Sequence, residues 1–238
     1  MKTIFFLFSI LSLFLLSCSS DNEVSPEPTK IPTTTLLDKV TFQGDDYDVS
    51  LDSEKRVKIL NLADRSYEFF YENNLVSKVI RTSAGDSYTT TFTHDENGKI
   101  ASFQNKNNSY DVSFHDDINL YSYSDSSLSH KYSLKINNVG DLTEFKVADL
   151  KYLKIESWGY TFDETKKGSL WNSNAVSVYI YMIDNNSLDT MLPFSTYPVA
   201  SAFNSFGNFN STNQYNEDGY ITKSVTFGKE VTFHYVKK

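Results

Sequence analysis

The sequence predicts an all-β fold: an antiparallel meander of repeated hairpins curled into a barrel or strongly curved sheet, with a two-layer β-sandwich as the alternative. Three observations carry this expectation. The chain has 16 Tyr and 18 Phe among 238 residues, and aromatic side chains suit pleated, half-buried strands. Apolar and polar positions alternate with period two, so one face of each strand is buried and the other is wet. Clusters of Asn, Asp and Gly divide the alternating runs, and these residues tolerate the left-handed backbone of hairpin turns.

Lys2 precedes an apolar run from Ile4 to Leu16, and the single cysteine, Cys18, follows Leu15-Leu16-Ser17. A charged start, a short apolar core and small residues at the cut describe a secretory signal peptide over 1–17. The run is about 13 residues, short of the ~20 that a spanning helix needs. Leu15-Leu16-Ser17-Cys18 resembles a bacterial lipobox, which implies cleavage before Cys18 and a diacylglycerol, with palmitate-type chains, on its thiol. An ordinary cleaved signal with an incidental cysteine is the alternative. Each buried methylene of an acyl chain contributes on the order of 0.8 kcal/mol, so the membrane is the partner expected through Cys18. Ser19-Ser20-Asp21-Asn22-Glu23 looks like an acidic export tag, which implies the outer membrane facing the cell surface, with the periplasmic face as the alternative.

Residues 18–35 read as a tether. Pro26, Pro28 and Pro32 lock the backbone, and the stretch has almost no apolar groups to pack. Residues 36–238 then form one antiparallel β domain. A net charge of −8 repels phosphate backbones, so nucleic acid is not an expected partner.

Within that domain the strands follow in order. Tyr67, Phe69 and Tyr71 alternate with Glu68 and Glu72, with Phe70 as the exception. Tyr88, Thr90 and Phe92, then Tyr110, Val112 and Phe114, then Tyr132, Leu134 and Ile136 repeat the pattern, and Val231, Phe233 and Tyr235 close it. Asp95-Glu96-Asn97-Gly98, Asn137-Asn138-Val139-Gly140 and Asn216-Glu217-Asp218-Gly219 sit between apolar runs as hairpin turns. His94-Asp95-Glu96 recurs as His115-Asp116-Asp117, and a period of about 21 residues implies one hairpin per repeat.

Tyr88 to Ile100 (Tyr-x-x-x-Phe-x-His-Asp-x-x-Gly-x-Ile) and Gln214 to Lys223 look like tyrosine–aspartate-type hairpin repeats. With the lipobox and the aromatic C-terminal strand, they resemble a family of uncharacterised Gram-negative, Bacteroidetes-type lipoproteins described as having a porin-like fold. The resemblance covers most of the chain from Tyr67 onward. It implies architecture and envelope location, and no catalytic residues. A spanning barrel is a further alternative, but spanning strands need about 9–11 residues and the runs here are shorter.

Residues 170–210 break the repeat. Ala175 to Ile183 reads as a buried strand or a short helix, its β-branched content favouring strand. Met191, Leu192, Pro193, Phe194, Tyr197, Phe203, Phe206 and Phe209 follow, an apolar insertion that plugs or lids the barrel. Trp171, Phe194, Tyr197, Phe203 and Phe206 are the candidate ligand contacts, weighed against core packing. Trp158, Tyr160 and Phe162 share a strand face and read as core. The His-Asp triplets are explained by repeat equivalence, since neighbouring strand residues point to opposite faces, so no metal site and no cofactor are expected. No serine elbow, zinc helix or phosphate loop is present. The expectation is a non-catalytic binding module for a glycan or protein partner. A carrier of an apolar or lipid ligand, or a surface hydrolase, is the alternative.

Overall fold

The computed structural model describes residues 33–62, 64–106, 108–125, 129–184 and 194–238. The signal peptide, Cys18, the tether as far as residue 32, and Met191, Leu192 and Pro193 lie outside the described residues.

The chain first runs through β1 (Thr35–Phe42), β2 (Asp45–Leu51), β3 (Val57–Asn61), β4 (Arg65–Glu72), β5 (Leu75–Ser83), β6 (Asp86–His94), β7 (Ile100–Asn105) and β8 (Asn108–Asp111). It crosses to a second sheet of β9 (Ser113–His115), β10 (Leu120–Ser124), β11 (His130–Ile136), β12 (Leu142–Asp149) and β13 (Lys154–Phe162). A helix, α1 (Ser177–Ile183), interrupts before β14 (Val199–Asn204) and β15 (Gly207–Asn210) complete that sheet. The chain then returns to the first sheet as β16 (Thr212–Tyr215), β17 (Ile221–Thr226) and β18 (Lys229–Lys237).

Within each sheet, neighbours are antiparallel and consecutive in sequence, except that β18 pairs with β1. The sheets meet at two corners. Only Val112 separates β8 from β9, and only Ser211 separates β15 from β16. Their N–H groups donate to Ala101 (2.9 Å) and Ala200 (2.9 Å), so one extended segment serves both sheets, as at the corners of packed β-layers.

Two open sheets of eleven and seven strands result, which is the sandwich alternative rather than a closed barrel. The physical reason lies in the interior. A barrel of so many strands encloses a channel, whereas here both inner faces and the insertion fill the space. Val40, Leu60, Tyr67 and Phe103 from the first sheet, Leu134 and Phe145 from the second, and Leu170, Tyr181 and Phe194 from the insertion share one buried cluster.

The stretch that favours strand by composition is helical over Ser177–Ile183. Inside the sandwich it has no ladder partner, and a helix satisfies its backbone groups internally. Its Ser177, Val178, Ile180, Tyr181 and Met182 are buried. The insertion is therefore a plug and not a lid.

Hairpin chemistry separates the two ends of the sandwich. At the entry end, Thr34 N–H donates to the Lys238 carbonyl at 2.8 Å, and turns return at Asp52, Asn73, Asp95, Asp116 and Asn137, about 21 residues apart. The Asp95 carboxylate accepts the N–H groups of Asn97 (2.9 Å) and Lys99 (2.8 Å). Gly98 at φ +75° takes the left-handed position that closes this turn. The far end carries the tighter turns, among them Gln43-Gly44 and Ala84-Gly85.

Candidate functional site

The helix α1 runs from the entry end toward the far end. Near its start, Ser177 Oγ accepts the Leu142 N–H at 3.3 Å. Midway, the Tyr179 ring meets Phe92 edge-on at 5.0 Å, and its hydroxyl lies 3.3 Å from His94 Nε2. Just past its end, Asp184 Oδ2 accepts from Arg65 Nη1 (2.7 Å), Arg81 Nε (2.9 Å) and the Tyr67 hydroxyl (3.2 Å). Arg65 also grips Asp64 through Nε (2.8 Å) and Nη2 (2.6 Å). The Asp64 bonds hold the Arg65 guanidinium above its ordinary pKa against the cost of burial.

Beyond Asp184 the sandwich opens at the far end into two adjoining hollows that share Asn105 and Ile183. The larger, about 290 Å³, is walled by Arg81, Tyr88, Thr90, Lys106, Asn108 and Asp184. The smaller, about 190 Å³, is walled by Phe103, Tyr110, Tyr123, Tyr132 and Met182. Its rings form a tier. Tyr110 stacks on Phe103 at 4.4 Å, Tyr123 stacks on Tyr132 at 4.8 Å, and Tyr110 meets Tyr123 edge-on at 5.8 Å. Burial pushes the Tyr123 phenol well above its ordinary pKa, so it stays protonated near neutrality.

This lining offers phenol hydroxyls, primary amides and ring faces, the groups that hold sugar rings and hydroxyls. Its carboxylate, Asp184, is tied by three donors. The arrangement suits binding and orientation rather than proton transfer. A further cavity of about 20 Å³ beside Phe42, Ile221 and Phe233 has room for about one water. Among the described residues, no three His, Cys, Asp or Glu side chains gather to hold a metal.

The aromatics singled out in the insertion do not converge on this cleft. Phe194 is 2 % exposed within the core, where no surface ligand reaches it. Trp171 and Tyr197 meet edge-on at 5.6 Å, beside the entry-end loops. Their loops pack closely because Gly168 has no side chain: a Cβ there would lie 2.6 Å from the Ser195 carbonyl oxygen. Phe203 lies over Gly159 on the sheet face opposite Tyr160 and Ala202. Phe206 is 85 % exposed at the β14–β15 tip. Cys18 lies outside the described residues. Trp158, Tyr160 and Phe162 pack against the buried clusters.

The residues that do line the cleft come from six strands, the loops beside them and the end of α1. Tyr88, Tyr110 and Tyr132 were visible as members of alternating runs, but nothing local marks them off from core tyrosines. Arg81, Asn105, Lys106 and Asn108 carry no sequence signal beyond polarity.

The chain matches no family model and no curated protein. Among solved structures, it is similar to a porin-like protein from Bacteroides uniformis ATCC 8492, at 12 % identity over 88 % of this chain and 100 % of that one, with a TM-score of 0.49.

Proposed function

We propose that the protein is a lipid-anchored envelope protein, held at the outer membrane by acyl chains on Cys18, that binds a glycan without chemistry in the far-end cleft. One observation carries this reading: the described chain enters at the end opposite the cleft. A tether running from Cys18 to that entry presents the cleft away from the membrane. The leader and lipobox-like Leu15-Leu16-Ser17-Cys18 supply the anchor. The apolar strand faces turn inward, the reverse of a membrane barrel with its lipid-facing apolar band, so attachment falls to the acyl chains.

The core packed jointly by both sheets and α1 favours a surface cleft over a carrier of apolar ligands. The test has two arms. Radiolabelled palmitate is incorporated by the wild type and not by Cys18→Ser, and protease added to intact cells removes the protein. On a glycan array, the purified mature protein binds, and Tyr110→Ala weakens binding about tenfold, a loss of order 1.4 kcal/mol. A protein spared by protease overturns the surface orientation; an array without any binder overturns the glycan reading.

A further inference from the structure

We infer that the glycan taken by the far-end cleft is acidic, its carboxylate or sulfate held between Arg81 and Lys106. This rests on the glycan-binding reading above and names the ligand's charge.

Arg81 projects from β5 with its side chain only 20 % exposed, and its Nε donates to Asp184 at 2.9 Å. Its two terminal nitrogens have no partner among the described residues, and Arg81 lines the larger hollow. Asp184 already serves other donors. Its Oδ2 already receives Arg65 and Tyr67 as well as Arg81 Nε. Lys106, on the same wall, is exposed and makes no ion pair among the described residues; its ammonium lies 5.9 Å from the Tyr88 ring centroid. The cleft therefore holds Arg81 and Lys106 against a single, shared carboxylate.

Terminal N–H donors that face an open hollow are met by water until a ligand with better acceptors displaces it, and an anion is the strongest such acceptor. The planar fork of Arg81 matches carboxylate and sulfate two bonds at a time, while Lys106 adds a point charge. The chain as a whole is acidic, at −8, so a local cationic wall is a focused anion site on a repelling surface. Asn105 and Asn108 beside it supply donors and acceptors for ring hydroxyls. Anionic group and sugar hydroxyls are thus recognised in one place.

The experiment titrates the purified mature protein with hexagalacturonate, with its neutral methyl ester, and with a kappa-carrageenan hexasaccharide, which carries sulfate and no carboxylate. At least one acidic probe is expected to bind about tenfold or more tighter than the ester, because charge-assisted pairs outweigh neutral ones. Added salt is expected to shrink that margin. Comparing the two acidic probes tells carboxylate from sulfate. Lys106→Gln, at an exposed site that leaves the fold intact, narrows the preference for acid, and Arg81→Gln narrows it further. Arg81→Lys retains charge without the fork and gives an intermediate preference. Tyr110→Ala weakens acid and ester alike. Equal binding of acid and ester overturns the inference and leaves glycan binding standing. A preference for acid that survives both Lys106→Gln and Arg81→Gln also overturns it, since the anion then sits elsewhere.

Discussion

Asp141 in the β11–β12 turn grips Thr196, 55 residues further along the chain: its carboxylate accepts the Thr196 N–H at 2.8 Å and the Tyr197 N–H at 3.2 Å. The carboxylate is almost fully enclosed, at 1 % exposure. One side chain thus fastens the returning arm of the plug to the second sheet. Asp141→Ala leaves both backbone donors without their acceptor and is expected to cost about 2–4 kcal/mol. Urea unfolding of wild type and variant measures it; a loss below about 0.5 kcal/mol would show that the clamp is unimportant.

The pH dependence of this clamp has a definite sign. Burial raises the Asp141 pKa above its ordinary 3.8, despite the N–H groups from Thr196 and Tyr197. A raised folded value means the folded state holds the proton more tightly than the unfolded one. The contribution is full below 3.8 and is lost as pH rises through the folded value. Asp125 behaves oppositely. Burial opposes its ionisation, but hydrogen bonds from His130 and Ser129 outweigh that and pull its pKa well below the ordinary range. Its contribution is present above 3.8 and lost as pH falls through the folded value. Wild type's stability margin over Asp141→Asn should therefore narrow from acid to neutral pH, while its margin over Asp125→Asn should widen. Parallel slopes for the two variants in pH-resolved urea titrations contradict the assignment.

Tyr181 on α1 is fully buried, its ring 4.4 Å from Phe145, and its hydroxyl has no hydrogen-bond partner among the described residues. Tyr181→Phe keeps the ring and removes the unsatisfied group. It should stabilise the protein by about 1–2 kcal/mol. Differential scanning calorimetry reads this as a higher Tm; a lower one would mean that the hydroxyl is engaged.

Gly159 and Phe203 face each other across β13 and β14. A Cβ on Gly159 would lie 2.0 Å from Phe203 Cζ, so the ring covers the bare backbone. Gly159→Ala should displace the ring and cost about 1–3 kcal/mol. In the Phe203→Ala background the same substitution should be nearly neutral, because alanine then meets no ring. A double-mutant cycle with a coupling near zero would refute the contact.

Much of the architecture was legible because it is periodic. Tyr67 and Phe69 turn inward in β4, while Phe70, the exception to the alternation, faces outward beneath the Lys78 ammonium at 3.9 Å. The Asp95 and Asn137 turns stand where their side chains can accept the N–H two residues on. Barrel and sandwich, however, present the same one-sided strands, and only the packing of the plug separates them. The helix at Ser177–Ile183 was hidden because its composition suits a strand and its environment decides otherwise. The cleft was hidden because Arg81, Lys106 and Tyr132 become neighbours only through strand order. Conversely, Phe194 drew notice as an aromatic outside the repeat, yet apolar composition marks burial as readily as exposure.

The β1–β18 pairing makes the last strand the keystone of the first. A stop codon between Thr226 and Lys229 would leave β1 and β17 with unpaired rows of N–H and C=O groups. Such bare edges recruit strands from other chains. A truncated product is thus expected to aggregate rather than persist as a shortened protein, so the nine residues of β18, Lys229–Lys237, decide whether the first sheet closes its own edges.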